Sequence, residues 1–142
     1  MLKIRTLIFI AIVTLLLVGC VSTLSDPAVQ SAPYRLISGT VMYPNIVYFP
    51  SRVRMEIDLV GRNLVTKVTT NLVSQTILNP QRFPLNFILR YDPSEIVRSN
   101  EYFIRVNLYR EGESDPYLSS FEVLLPSLKG DDSVYIELYT VS

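Results

Sequence analysis

The chain holds one thiol, Cys20, and no histidine at all. Without an imidazole it can build neither a Ser-His-Asp triad nor a Cys-His pair, and it lacks the commonest metal ligand. A lone cysteine likewise forms no disulfide framework and no thiolate cluster. The carboxylates offer little more. Glu56 and Asp58 stand two residues apart, on one face of an extended segment, but Arg54 beside them reads as an ordinary charged exterior. Glu113 and Asp115 fall in one turn and Asp131 and Asp132 in another, without the regular oxygen-ligand spacing of a calcium loop. No enzyme, cofactor or metal is expected. The remaining residues of interest are aromatic. Phe103, Tyr109, Tyr135 and Tyr139 fall opposite the apolar face of their segments, and Tyr48 and Phe49 lie in a proline-bounded loop. Outward aromatics give large contact area at low entropic cost, as a partner surface requires. The competing explanation is that both faces of a central strand are covered, or that tyrosines pair across a wet sheet.

The surroundings of Cys20 give its thiol a use. Lys3 and Arg5 precede residues 7–19, which are apolar apart from Thr14, and the cysteine follows Leu17-Val18-Gly19 directly. Charge, then an apolar run, then a cleavage site is the order of a secretory signal. As a helix, 13 residues rise only about 20 Å, short of a hydrocarbon core of about 30 Å. Residues 1–19 are therefore expected to be removed. The Leu-Val-Gly-Cys ending is similar to the lipobox of bacterial lipoproteins, which implies a diacylglycerol on Cys20 and an acylated new amine. Val21 is not the Asp that resembles an inner-membrane retention signal, so the expected location is the outer membrane, with the domain facing the periplasm.

Removing the leader leaves 11 basic against 13 acidic residues. That balance excludes nucleic acid as a partner, because phosphate binding needs concentrated positive charge. Residues 20–33 are rich in Ser, Thr, Asp, Gln and Pro and carry no apolar period, so they read as the lipidated terminus and a flexible tether. Residues 34–142 form one domain of ordinary size.

That domain must position its side chains with strands. Val53, Met55, Ile57 and Leu59 alternate with Arg54, Glu56 and Asp58, which predicts a strand over 53–60 with one buried and one wet face. Tyr102, Ile104, Val106 and Leu108 repeat the pattern, as do Val134, Ile136 and Leu138. Residues 36–43, 72–78, 85–90 and 118–125 complete seven predicted strands. Turns are expected at Gly61-Arg62-Asn63, Asn79-Pro80, 111–116 and 129–132. Asp92-Pro93-Ser94-Glu95 reads as a cap, a first-position proline and one helical turn. Seven such strands imply a β-sandwich or an open barrel, and since nothing suggests a ligand-sized barrel interior, an all-β, seven-stranded β-sandwich-like domain is expected.

Two segments carry a family resemblance. Leu36-Ile37-Ser38-Gly39-Thr40-Val41-Met42-Tyr43 and Pro84-Leu85-Asn86-Phe87-Ile88-Leu89-Arg90-Tyr91-Asp92-Pro93-Ser94-Glu95-Ile96 resemble the YscW-type lipoproteins. The family comprises type III secretion lipoprotein chaperones, or pilotins, and other envelope lipoproteins. The resemblance implies a protein that binds the C-terminal tail of a secretin subunit and assists its outer-membrane targeting and ring assembly. The alternative is a general envelope lipoprotein, structural or stress-related, without a secretin. Both segments also have structural explanations: Gly39 marks a bulge or a close backbone approach, and Tyr91-Asp92-Pro93 a tight turn.

Overall fold

The computed structural model describes residues 33–45, 52–125, 128 and 132–141. The expected signal peptide, Cys20, nearly all of the tether, the Tyr48-Phe49 loop and most of the 129–132 turn lie outside the described residues. Eight strands run β1(Arg35–Met42), β2(Val53–Asn63), β3(Thr69–Leu78), β4(Leu85–Tyr91), β5(Asn100–Arg110), β6(Leu118–Ser120), β7(Val123–Leu124) and β8(Asp132–Thr140). The fold is all-β, as the alternation predicts. One strand more than expected arises because the 118–125 run breaks at Phe121 and Glu122 into β6 and β7.

The hydrogen-bonded order is β3-β2-β5-β6-β8-β1-β4, with β7 also on β5. Two layers, β3-β2-β5 and β8-β1-β4, face each other across the core. The short β6 joins them, because Leu118 pairs with Leu108 of β5 on one side and Thr140 of β8 on the other. This bridge turns a sandwich-like arrangement into a nearly closed, barrel-like sheet. The remaining seam lies between β3 and β4, where Leu72, Ile77, Phe83 and Leu85 pack half-buried against the core.

Period-2 patterning fixes which residues fill the interior. Ile37 and Val41 of β1, Met55, Ile57 and Leu59 of β2, Phe87 and Leu89 of β4, Ile104, Val106 and Leu108 of β5, and Ile136 and Leu138 of β8 are buried. Two glycines make room for aromatic rings within this core. Gly39 pairs with Phe87 across β1 and β4, and a Cβ on Gly39 would lie 2.4 Å from the Phe87 ring. Gly61 pairs with Tyr102 across β2 and β5, and a Cβ there would meet that ring at 2.8 Å. Each layer thus seats one aromatic over a glycine on the neighbouring strand. At Gly39 the close approach is that of side chains, the Phe87 ring foremost, and no bulge interrupts the β1–β4 register.

Three expectations need correction. Gly61, Arg62 and Asn63 are strand residues paired within the sheet, and the turn comes after them at 64–66. Glycine at 61 serves ring packing, not a reversal of the chain. Asp58 is not on a wet face: it is 6 % exposed, held by Ser74 Oγ at 2.6 Å and Asn71 Nδ2 at 3.2 Å, with Arg105 Nη2 at 3.8 Å. Phe103 is not outward in the sense of solvent either, being 0 % exposed with the Arg62 guanidinium 4.6 Å from its ring centroid.

The turn at Asp92 forms as read. Pro93–Glu95 make one 3-10 turn, and Asp92 Oδ1 accepts from the Ser94 backbone N–H at 2.8 Å. Bonds from the Ser94 side chain and backbone hold the Asp92 carboxyl below the usual carboxylate range. A depressed folded pKa means the cap contributes fully at neutral pH and loses its contribution as pH falls through that folded value. Asp92→Asn is expected to keep the acceptor while removing this part of the acid dependence. Thermal midpoints measured from neutral to acid pH check it: parallel wild-type and variant curves would show that the cap does not titrate.

Candidate partner-binding surface

The structure separates the four aromatics singled out in the sequence. Phe103 and Tyr109 share the outer face of β5, yet Phe103 is sealed and Tyr109 is half-buried beneath Arg54, whose guanidinium sits 4.9 Å from the ring. Burial, with the nearby Glu56 charge, pushes the Tyr109 hydroxyl upward in pKa. This side of the molecule is a polar lattice. Arg62 pairs with both Glu101 and Glu122, and those contacts raise its pKa further, Glu122 foremost. Glu56 is bound by Arg54 at 2.9 Å, and Ser119 donates to Asn107 Oδ1 at 2.7 Å. The Glu56 and Asp58 carboxylates are thus each held by separate partners, not poised as a pair. Among the described residues no group of three or more His, Cys, Asp or Glu is placed to hold a metal. No helix among them is long and apolar enough to cross a membrane.

The other two aromatics lie on β8 and face a different surface. Tyr135 is 64 % exposed. Tyr139, four residues on and so on the same face, is half-buried because Phe121 packs against it with centroids 4.3 Å apart. The Tyr139 hydroxyl also accepts the Phe121 backbone N–H at 2.8 Å, which fixes the pair. Phe121 itself remains 74 % exposed.

β1 and β4 continue this outer face. Tyr135 stands opposite Thr40, Ile88 opposite Ser38, and Leu36 opposite Arg90, so Leu36 and Ile88 are diagonal cross-strand neighbours, about 7–8 Å apart by strand geometry. Both are exposed. Between them and Tyr135, the Thr40 hydroxyl bonds to Asn86 Oδ1 at 2.9 Å. Arg90 is stacked on Tyr34, 3.9 Å from its centroid, with its charge at the margin. A strip of exposed apolar and aromatic residues therefore crosses β8, β1 and β4, broken on β8 by exposed Glu137 between Tyr135 and Tyr139. Phe121, Leu36 and Ile88 belong to it and were not singled out from the sequence. Alternation places residues on a face, but only the parallel pairing of β1 with β8 brings Tyr135 beside that face of β1.

A family model described as type III secretion system lipoprotein chaperone (YscW) matches residues 32–115. The chain belongs to this family. The match spans β1 to β5, including both resembling segments, so the Gly39–Phe87 seat and the Asp92 turn of this YscW-family chain lie inside it. Among solved structures, an alternative pilotin from the type II secretion system of Vibrio cholerae is similar, with a TM-score of 0.66 at 20 % identity. The likeness covers 77 % of this chain and 98 % of that one, and at this identity it is a likeness of fold. No match was found among curated proteins.

Proposed function

We propose that the chain is a pilotin: a lipid-anchored carrier that binds the C-terminal tail of a secretin subunit and assists its targeting and ring assembly in the outer membrane, in a type III secretion system. Membership of the YscW family is the observation that carries this reading. The sequence supports it with a thiol placed directly after a leader, where acylation of Cys20 would supply the anchor. The fold supports it with a surface suited to an amphipathic tail. Tyr135, Ile88 and Leu36 expose apolar area on one sheet face, with Arg90 at one side and the Glu137 carboxylate beyond Tyr135 on β8, so an amphipathic tail could bury its apolar residues over β1 and β4 and set a cation against Glu137. No step of this activity needs catalysis.

The test is capture of the secretin from detergent-solubilised outer membranes. Ile88→Ser with Tyr135→Ser is expected to weaken tail binding by roughly tenfold per residue, the effect of losing a central apolar contact of about 1.4 kcal/mol. Both side chains point outward, so thermal stability should hold. Deletion of the protein should deplete secretin multimers. Undiminished multimers after deletion would instead favour a general envelope lipoprotein, and undiminished capture by the double variant would move the binding surface elsewhere. Phe103 is unsuitable for this test, since a buried ring reports on folding.

A further inference from the structure

One end of the barrel is unexpectedly greasy. The chain turns from β2 to β3 through Asn63-Leu64-Val65-Thr66-Lys67-Val68, and Leu64, Val65 and Val68 are all exposed, Val65 at 86 %. Tight turns are ordinarily built from polar residues and glycine. This one is apolar and yet firmly made. Asn63 Oδ1 accepts the backbone N–H groups of both Val65 and Thr66 at 2.9 Å, and the Asn63 N–H donates to Val68 O at 2.9 Å. Beside it, Leu64 N–H donates to Ser99 O at 3.1 Å, which draws in the segment carrying Val97, also exposed.

The topology says what else is at that end. β5 and β8 both run antiparallel to β6, so they start at the same end, and β1 starts there too because it is parallel to β8. The 63–68 turn sits at the start of β5, where Asn63 pairs with Asn100. The chain therefore enters the domain, at Pro33 and Tyr34, from the end that displays Leu64, Val65, Val68 and Val97. Only 12 residues lie between Cys20 and Pro33, a reach of at most about 45 Å even when extended.

Just inside this end, Arg62 with Glu101 and Glu122 forms a charged collar. Exposed Lys67 and Arg98 flank the apolar residues and form no ion pair among the described residues; Glu95 is the acid on the same segment. Apolar residues at the tip, two cations beside them and charge behind them match the boundary between acyl chains and headgroups.

We infer that the Leu64–Val68 turn and Val97 dip into the phospholipid surface to which Cys20 tethers the chain, docking the domain end-on. This rests on the lipid-anchor reading of Cys20, and it adds a second, non-covalent contact. End-on docking leaves the strip over β8, β1 and β4 on the side of the barrel, clear of the bilayer for a protein partner.

The absence of tryptophan makes the test direct, since each introduced indole reports alone. The full chain is purified from membranes as Val65→Trp, Val97→Trp or Glu111→Trp, position 111 lying in the turn at the opposite end of β5. Each is reconstituted on phosphatidylethanolamine–phosphatidylglycerol vesicles, and the floated fraction is measured. Indoles at 65 and 97 are expected to shift to the blue, to be quenched by brominated lipid, and to lose severalfold of their iodide quenching relative to 111. Equal iodide access at 65, 97 and 111 would overturn the inference, as would protection at 65 and 97 appearing only when a secretin tail is added. Mass spectrometry of the same samples reads the anchor separately. A chain without acyl groups would remove the anchor reading alone, and protection or exposure of its indoles on added vesicles would still decide whether the tip contacts lipid.

Discussion

Gly39→Val is expected to lower the thermal midpoint by roughly 4–12 °C, because overfilling a packed core costs about 1–3 kcal/mol and each kcal/mol moves a domain of this size by about 4 °C. The Phe87 ring occupies the place of the missing side chain, with its Cζ 2.4 Å and Cε1 2.5 Å from where a Cβ would be, and Val134 Cγ2 closes the site at 2.7 Å. The ring cannot swing outward, since Phe87 is 3 % exposed among buried neighbours. The strain should be relieved in a specific way. Gly39→Ala with Phe87→Leu is expected to lose less stability than the sum of the two single changes, because the smaller side chain vacates the space the methyl needs. Additive losses in that double-mutant cycle, read from thermal or denaturant unfolding, would mean that the ring and the glycine do not share one site.

Cys20→Ser is expected to leave a species that is soluble or retains its leader, where the unchanged chain is expected to fractionate with membranes. Each buried methylene contributes about 0.8 kcal/mol to membrane attachment, and a single acyl chain gives only marginal binding, so several chains or none separate firm anchoring from release. The turn at Leu64–Val68 offers too few apolar side chains to replace them. Fractionation with mass spectrometry of the mature chain checks this. A fully processed Cys20→Ser variant that still sediments with membranes would refute acylation as the anchor.

Much of the fold is legible in the residues because strand alternation and burial have the same period. Val53 to Leu59 and Tyr102 to Leu108 are inward where the pattern puts them. The Asp92 cap is equally plain, since its bonds span two residues of sequence. What escapes the sequence depends on contacts between distant strands. Asp58 has the spacing of a solvent-facing carboxylate, yet Ser74 and Arg105 from its two neighbouring strands enclose it. Phe103 alternates outward but is sealed, because the outer side of β5 is itself covered. Gly61 looks like a turn residue until Tyr102 is found across from it. For the partner surface, Tyr135 could be picked out by alternation alone. Its companions Leu36, Ile88 and Phe121 could not, because nothing local announces that the first and last long strands lie side by side.

That adjacency governs how the molecule can be made. β1 has β4 on one edge and β8 on the other, and the second edge finds its partner only when residues 132–140 arrive. A ribosome supplies those residues after every other strand of the domain. Until then a nascent chain carries an unpaired ladder along β1 and another on β6, each a template for the wrong strand. The ordered domain is thus withheld until β8 has been made, as the export expected from the leader would require. A premature stop before β8 should yield a product that aggregates, not a shortened but working domain.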